Sequence, residues 1–134
     1  MPGPDYTYRC HIERVIDGDT VDARIDLGFH LTALLRIRLL GVDCPELRRG
    51  SDTNRAAGSQ ARDFTSTWIA TRELPPVGET LTAPPPTWPF LITTAKADSF
   101  GRWLGKLSVA SDSDEPSLNE ALLEAGHATP WTRR

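Results

Sequence analysis

The sequence predicts a mainly β domain of the α+β class, a five-stranded barrel with two or three helices. Three observations predict it. Four short segments alternate with the period of two that strands show, and the apolar start of Phe90 to Thr94 adds a fifth strand candidate. Two further segments carry helical spacing or a helix-start signature. The 134 residues fit one compact domain, 1–134, with its core over about 6–126.

The elements follow in order. Tyr8, Cys10 and Ile12 alternate with Arg9, His11 and Glu13, the pattern of a half-buried strand. Val21, Ala23, Ile25 and Leu27 alternate with Asp22, Arg24 and Asp26 in a second strand, closed by Gly28. Asp17-Gly-Asp-Thr20 between them reads as a hairpin connection. A third strand covers roughly Leu31 to Gly41, with Arg36 and Arg38 on one face and Ile37 and Leu39 on the other. Ala57, Ala61, Phe64 and Trp68 predict an amphipathic helix over Ala56 to Ala70. The proline-rich stretch from Leu74 to Pro89 cannot be regular throughout. Phe90 to Thr94 predicts a fourth strand. In a fifth, Trp103, Gly105, Leu107 and Val109 alternate with Leu104, Lys106 and Ser108. Ser117-Leu-Asn-Glu120 has the capping-box form, and Gly126 suits the C-terminal cap of the helix it starts. Five short strands in one domain make the OB-fold barrel the leading architecture, although alternation alone does not derive barrel closure.

Composition bounds the function. The net charge of −3 argues mildly against an extended nucleic-acid surface, which is usually basic. Lys96 and Lys106 are the only lysines, so positive charge rests on arginine, the better bidentate phosphate donor. Two cysteines, Cys10 and Cys44, are too few for a disulfide scaffold or a zinc cage. The absence of a long apolar run or a leader-like start predicts a cytoplasmic protein without a membrane role.

The residues that carry chemistry lie at strand ends. Asp17 and Asp19 flank a turn glycine. An EF-hand is excluded, because the position that needs glycine holds Asp22. Asp43 follows Leu39-Leu-Gly-Val42, at the expected end of a central strand. Cys44 precedes Pro45, which biases its backbone to an extended form and leaves its carbonyl available. Asp19, Asp43 and one carbonyl form a hard, oxygen-only donor set that suits calcium better than zinc. Arg38 and Asp43 differ in strand parity, so their joint use requires the strand to end, kink or bulge near Gly41.

Three segments together carry a resemblance: Val15-Ile-Asp-Gly-Asp-Thr-Val21, Arg38-Leu-Leu-Gly-Val-Asp-Cys-Pro-Glu46 and Asp98-Ser-Phe-Gly-Arg102. They resemble, in order, the signature stretches of the staphylococcal nuclease (thermonuclease) family, and Asn119-Glu-Ala-Leu122 is similar to the family's next helix. The resemblance implies calcium bound by Asp19, Asp43 and the carbonyl of Cys44. It implies that Glu46 positions or deprotonates the attacking water and that Arg38 and Arg102 clamp the scissile phosphate. Asp17, Thr20 and Asp98 match supporting positions. Ser99 and Phe100 stand where the family often has a lysine and a tyrosine that contact a second phosphate, and Trp131 lies near the place of an aromatic that supports the base.

The expected activity is metal-dependent hydrolysis of DNA, RNA or both, leaving 5′-hydroxyl and 3′-phosphate ends. A shallow barrel site predicts a preference for single strands. The alternative is a non-catalytic module on the same barrel, holding single strands or a protein partner. The complete set Asp19, Arg38, Asp43, Glu46 and Arg102 favours the enzyme.

Overall fold

The computed structural model describes residues 6–45, 52–73, 88–95, 103–110 and 114–130. The strands are β1 (Thr7–Asp17), β2 (Thr20–Gly28), β3 (Leu31–Leu39), β4 (Val42–Asp43), β5 (Phe90–Ala95), β6 (Trp103–Val109) and β7 (Thr129–Pro130). The helices are α1 (Asp52–Glu73) and α2 (Leu118–Glu124). Five strands close a barrel in the order β1-β2-β3-β6-β5, the expected OB-type architecture. All contacts in it are antiparallel except the closing seam, where β3 runs parallel to β6 over Ile37↔Trp103, Arg38↔Leu104 and Leu39↔Gly105.

Alternation fills the barrel. Cys10, Val21, Ala23, Ile25, Ile37, Leu39, Phe90, Ile92, Leu107 and Val109 are buried. Gly105 is small because a Cβ there would stand 2.7 Å from Ile92 Cδ1. α1 seals the barrel with Ala61, Thr65, Trp68 and Ile69, all buried and spaced to share one face. Trp68 stacks on Phe90 with centroids 5.7 Å apart. The helix extends beyond the expected Ala56–Ala70 at both ends.

α2 starts where the capping box placed it. Ser117 Oγ accepts from the Glu120 amide at 3.2 Å. It ends in a Schellman motif, with the His127 amide donating to the Leu122 carbonyl, the Gly126 amide to that of Leu123, and Gly126 at φ +80°.

Two strand expectations need correction. β3 stops at Leu39 rather than Gly41, because Leu40 and Gly41 (φ +81°) form the turn into β4. In β6 the faces invert at the start, with Trp103 exposed and Leu104 buried. Leu104 lies in register with Arg38 on the parallel seam and is buried despite its outward parity. No helix among the described residues is long and apolar enough to cross a membrane.

Candidate active site

The site forms where the β1–β2 turn meets the end of β3. Asp19 sits in the two-residue turn between Asp17 and Thr20. Its carbonyl accepts the Leu39 amide at 2.8 Å, which fastens the turn to β3. Register sets Thr20 opposite Arg38 and Asp22 opposite Arg36. The two arginines share a strand face and differ in fate. Arg36 is more than half exposed and paired with Asp22 at 2.8 Å. Arg38 is buried, 6% exposed.

Burial of Arg38 is matched by partners. Nη1 donates to the carbonyls of Val42 (3.0 Å) and Leu39 (3.4 Å), which the turn at Gly41 folds back over it. Nη2 donates to Asp43 Oδ1 at 3.1 Å and to Asp19 Oδ2 at 3.4 Å. The turn at Leu40 and Gly41 thus brings Asp43 to Arg38 despite their opposite parity. Asp19 is tied down further: Oδ1 accepts from the Thr20 hydroxyl at 3.0 Å and Oδ2 from the Cys44 amide at 2.9 Å. Asp19 is buried while the side chain of Asp43 is 55% exposed. One carboxylate is fixed and the other opens to solvent.

The local charge is negative. Burial, then the carboxylates of Asp19 and Asp43, push the Cys44 thiol up to about 12; Arg38 opposes them and Asp17 adds to them. Cys44 is therefore a neutral thiol at ordinary pH. Two carboxylates that already share one cationic nitrogen can hold a hard cation through oxygen. Among the described residues no group of three or more His, Cys, Asp or Glu side chains is placed to hold a metal. A cation held by Asp19 and Asp43 would complete its shell from carbonyls and water, the habit of hard divalent ions rather than zinc.

Asp17, Asp19, Thr20, Arg38, Asp43 and Cys44 thus come together at one end of the barrel. Glu46, Asp98, Ser99, Phe100, Arg102 and Trp131 lie outside the described residues. A family model described as staphylococcal nuclease homologue matches residues 36–133, well over half of the chain. The chain belongs to that family. The match begins within β3, so the Asp19 turn joins the nuclease-homologue region through geometry, across the β2–β3 ladder. Protein ParB of Escherichia coli is 28% identical over 131 residues, covering 94% of this chain and 58% of that relative. The chain therefore spans little more than half the length of the curated relative it matches.

Sequence reasoning missed the supports of this nuclease-homologue site. Buried Asn119 of α2 donates to the carbonyls of Leu40 (2.8 Å) and Gly105 (3.2 Å) and accepts the Leu107 amide (3.1 Å). It clamps the turn after β3 to the seam. β7 pairs beside the site, Asp43↔Thr129 and Val42↔Pro130. An asparagine one residue after a buried helix start was a usable signal; a two-residue strand was not.

Proposed function

We propose that this chain is a calcium-dependent nuclease that hydrolyses phosphodiester bonds of DNA, RNA or both, leaving 5′-hydroxyl and 3′-phosphate ends. The observation that carries the reading is the convergence of Asp19 and Asp43 on one nitrogen of a buried arginine. The site holds more carboxylates than cations among its described residues, so a phosphate approaches it unfavourably without a further positive charge. Membership of the nuclease-homologue family supports the same reading.

Asp19, Asp43 and the Cys44 carbonyl would hold calcium, and the ion would supply relief of the charge that grows on phosphorus. Arg38 is fully engaged while its Nη2 serves both carboxylates. Carboxylates turned to a cation would let that nitrogen turn to a phosphate oxygen. Glu46, three residues beyond Asp43, would hold the attacking water, and Arg102 would be the second phosphate donor. Ser99 and Phe100 offer no charged donor to a neighbouring phosphate, so a nucleoside 3′,5′-bisphosphate should inhibit weakly.

Unpaired strands should be preferred. The exposed arginines of the β2–β3 outer face are matched by acids, Arg36 with Asp22 and Arg24 with Glu13. Little charge remains there to grip a rigid duplex.

The test incubates purified protein with single- and double-stranded DNA and RNA in calcium, magnesium or chelator, and identifies the product ends. Cleavage in calcium, much less in magnesium and none in chelator is expected. Equal turnover in magnesium counts against calcium. Retention of single strands with no cutting under any condition identifies the binding module instead.

A further inference from the structure

The turn that carries Asp19 is gripped from a second side. Thr65 lies on α1 and is completely buried. A threonine inside a helix commonly returns its hydroxyl to a carbonyl three or four residues back. Thr71 does so, donating to Thr67 at 2.9 Å and to Trp68 at 3.1 Å. Thr65 instead donates to the Gly18 carbonyl at 2.7 Å.

That carbonyl belongs to the same planar unit as the Asp19 amide, so fixing it fixes the plane entering Asp19. The plane leaving Asp19 is fixed by the Leu39 amide on its carbonyl. With both planes held, the direction in which Asp19 projects is set. The approach of helix to turn is close enough to exclude a side chain. A Cβ on Gly18 would meet Ala61 Cβ at 2.8 Å and Cys44 Sγ at 3.0 Å. Ala61 and Thr65 stand one helical turn apart on the same face, one giving clearance and the other the hydrogen bond.

We infer that Thr65 is a positioning residue: through Gly18 it sets where the Asp19 carboxylate stands relative to Asp43 and Arg38, and so governs the cation affinity of the site. The affinity rests on the function proposed above, whereas the placement of Asp19 does not.

Thr65→Val keeps the shape and removes the donor. In chelator, amide exchange measured by NMR should quicken about tenfold at Leu39 and Cys44, the two amides bonded to Asp19. The amides of the Ala23↔Leu35 ladder should change less than about twofold. A merely structural role would quicken all of them together. Thr65→Ser should restore Leu39 and Cys44. Calorimetric titration should show calcium bound at least about tenfold more weakly by Thr65→Val, the usual cost of losing an outer support. Unchanged exchange at Leu39 and Cys44 overturns the inference. Changed exchange with no calcium uptake by the wild type sinks the proposed function and leaves the placement standing. If Thr65→Val does not fold, Thr65→Ala, which removes the same donor without adding bulk, must give the same selective quickening, and its failure to do so is equally decisive.

Discussion

The two ends of the β2–β3 hairpin are built in opposite ways. At the end near Thr20 and Arg38, polar groups are buried: Asp19 is 7% exposed and Arg38 6%. At the tip, apolar groups are exposed: Leu27 45%, Phe29 96% and Leu31 60%. The first end is inside because each charge has a partner, and among the described residues no buried side-chain nitrogen or oxygen lacks one. The second end is outside because the hairpin outruns its neighbours. The register of β2 with β1 runs no further than Ile25↔Cys10, and that of β3 with β6 begins only at Ile37. The tip is strained as well, with Phe29 and His30 both at positive φ. Burial here follows pairing and strand neighbours more than side-chain polarity.

The contrast can be broken hardest at Arg38. Arg38→Ala should lower the cleavage rate by roughly 10²-fold or more, the scale of a lost transition-state donor. It should also destabilise the fold by about 3 kcal/mol in denaturant titration, because Asp19 is left buried without its cation. Arg36→Ala, on the same face but in water, should leave the rate within a few-fold. Equal losses at the two positions would show that burial does not distinguish them.

Asn119→Leu comes next. It removes the bonds to Leu40, Gly105 and Leu107 and takes the side-chain acceptor from the buried Leu107 amide. A loss of about 2–3 kcal/mol is expected in urea unfolding. A loss no larger than an ordinary surface change would mean that the turn holds itself.

At the tip the sign reverses. Phe29→Gly relieves a bulky residue at φ +53° and removes no core contact. It should stabilise by about 0.5 kcal/mol, strain relief less the entropy of glycine, with cleavage unchanged. A clear drop in stability would reveal packing at the tip.

The smallest effect is one of pH. The hydrogen bond from Arg36 holds the Asp22 carboxyl below its ordinary 3.8. A lowered folded value contributes stability that is present above 3.8 and lost as pH falls through the folded value. The stability difference between wild type and Arg36→Ala should therefore be flat near neutrality and shrink in acid below about pH 4. A difference that grows in acid would contradict the pairing.

Much of this was legible in the sequence. Period-two alternation located four barrel strands, the short apolar run at Phe90 marked the other, and Ser117 and Gly126 marked both ends of α2. The signature segments pointed to Asp19, Arg38, Asp43 and Cys44, which the fold brings within hydrogen-bonding reach of one another. What remained hidden depends on distant neighbours. Arg38 reads as a solvent-facing rung until the turn at Gly41 closes over it. Leu104 reads as an outer residue, yet is buried on the parallel seam. Thr65 resembles any helical threonine, since nothing local says where its hydroxyl points. The β4–β7 pair is too short to carry a period.

The parallel seam has a consequence for folding. Ile37, Arg38 and Leu39 must find Trp103, Leu104 and Gly105 across about half of the chain. Contacts so distant in sequence are costly in loop entropy and make folding slow. Arg38 is the middle rung of that seam. Asp19, Arg38 and Asp43 are made early, long before the β6 strand that pairs beside the arginine. The seam beside this cluster therefore closes only after β6 has been made.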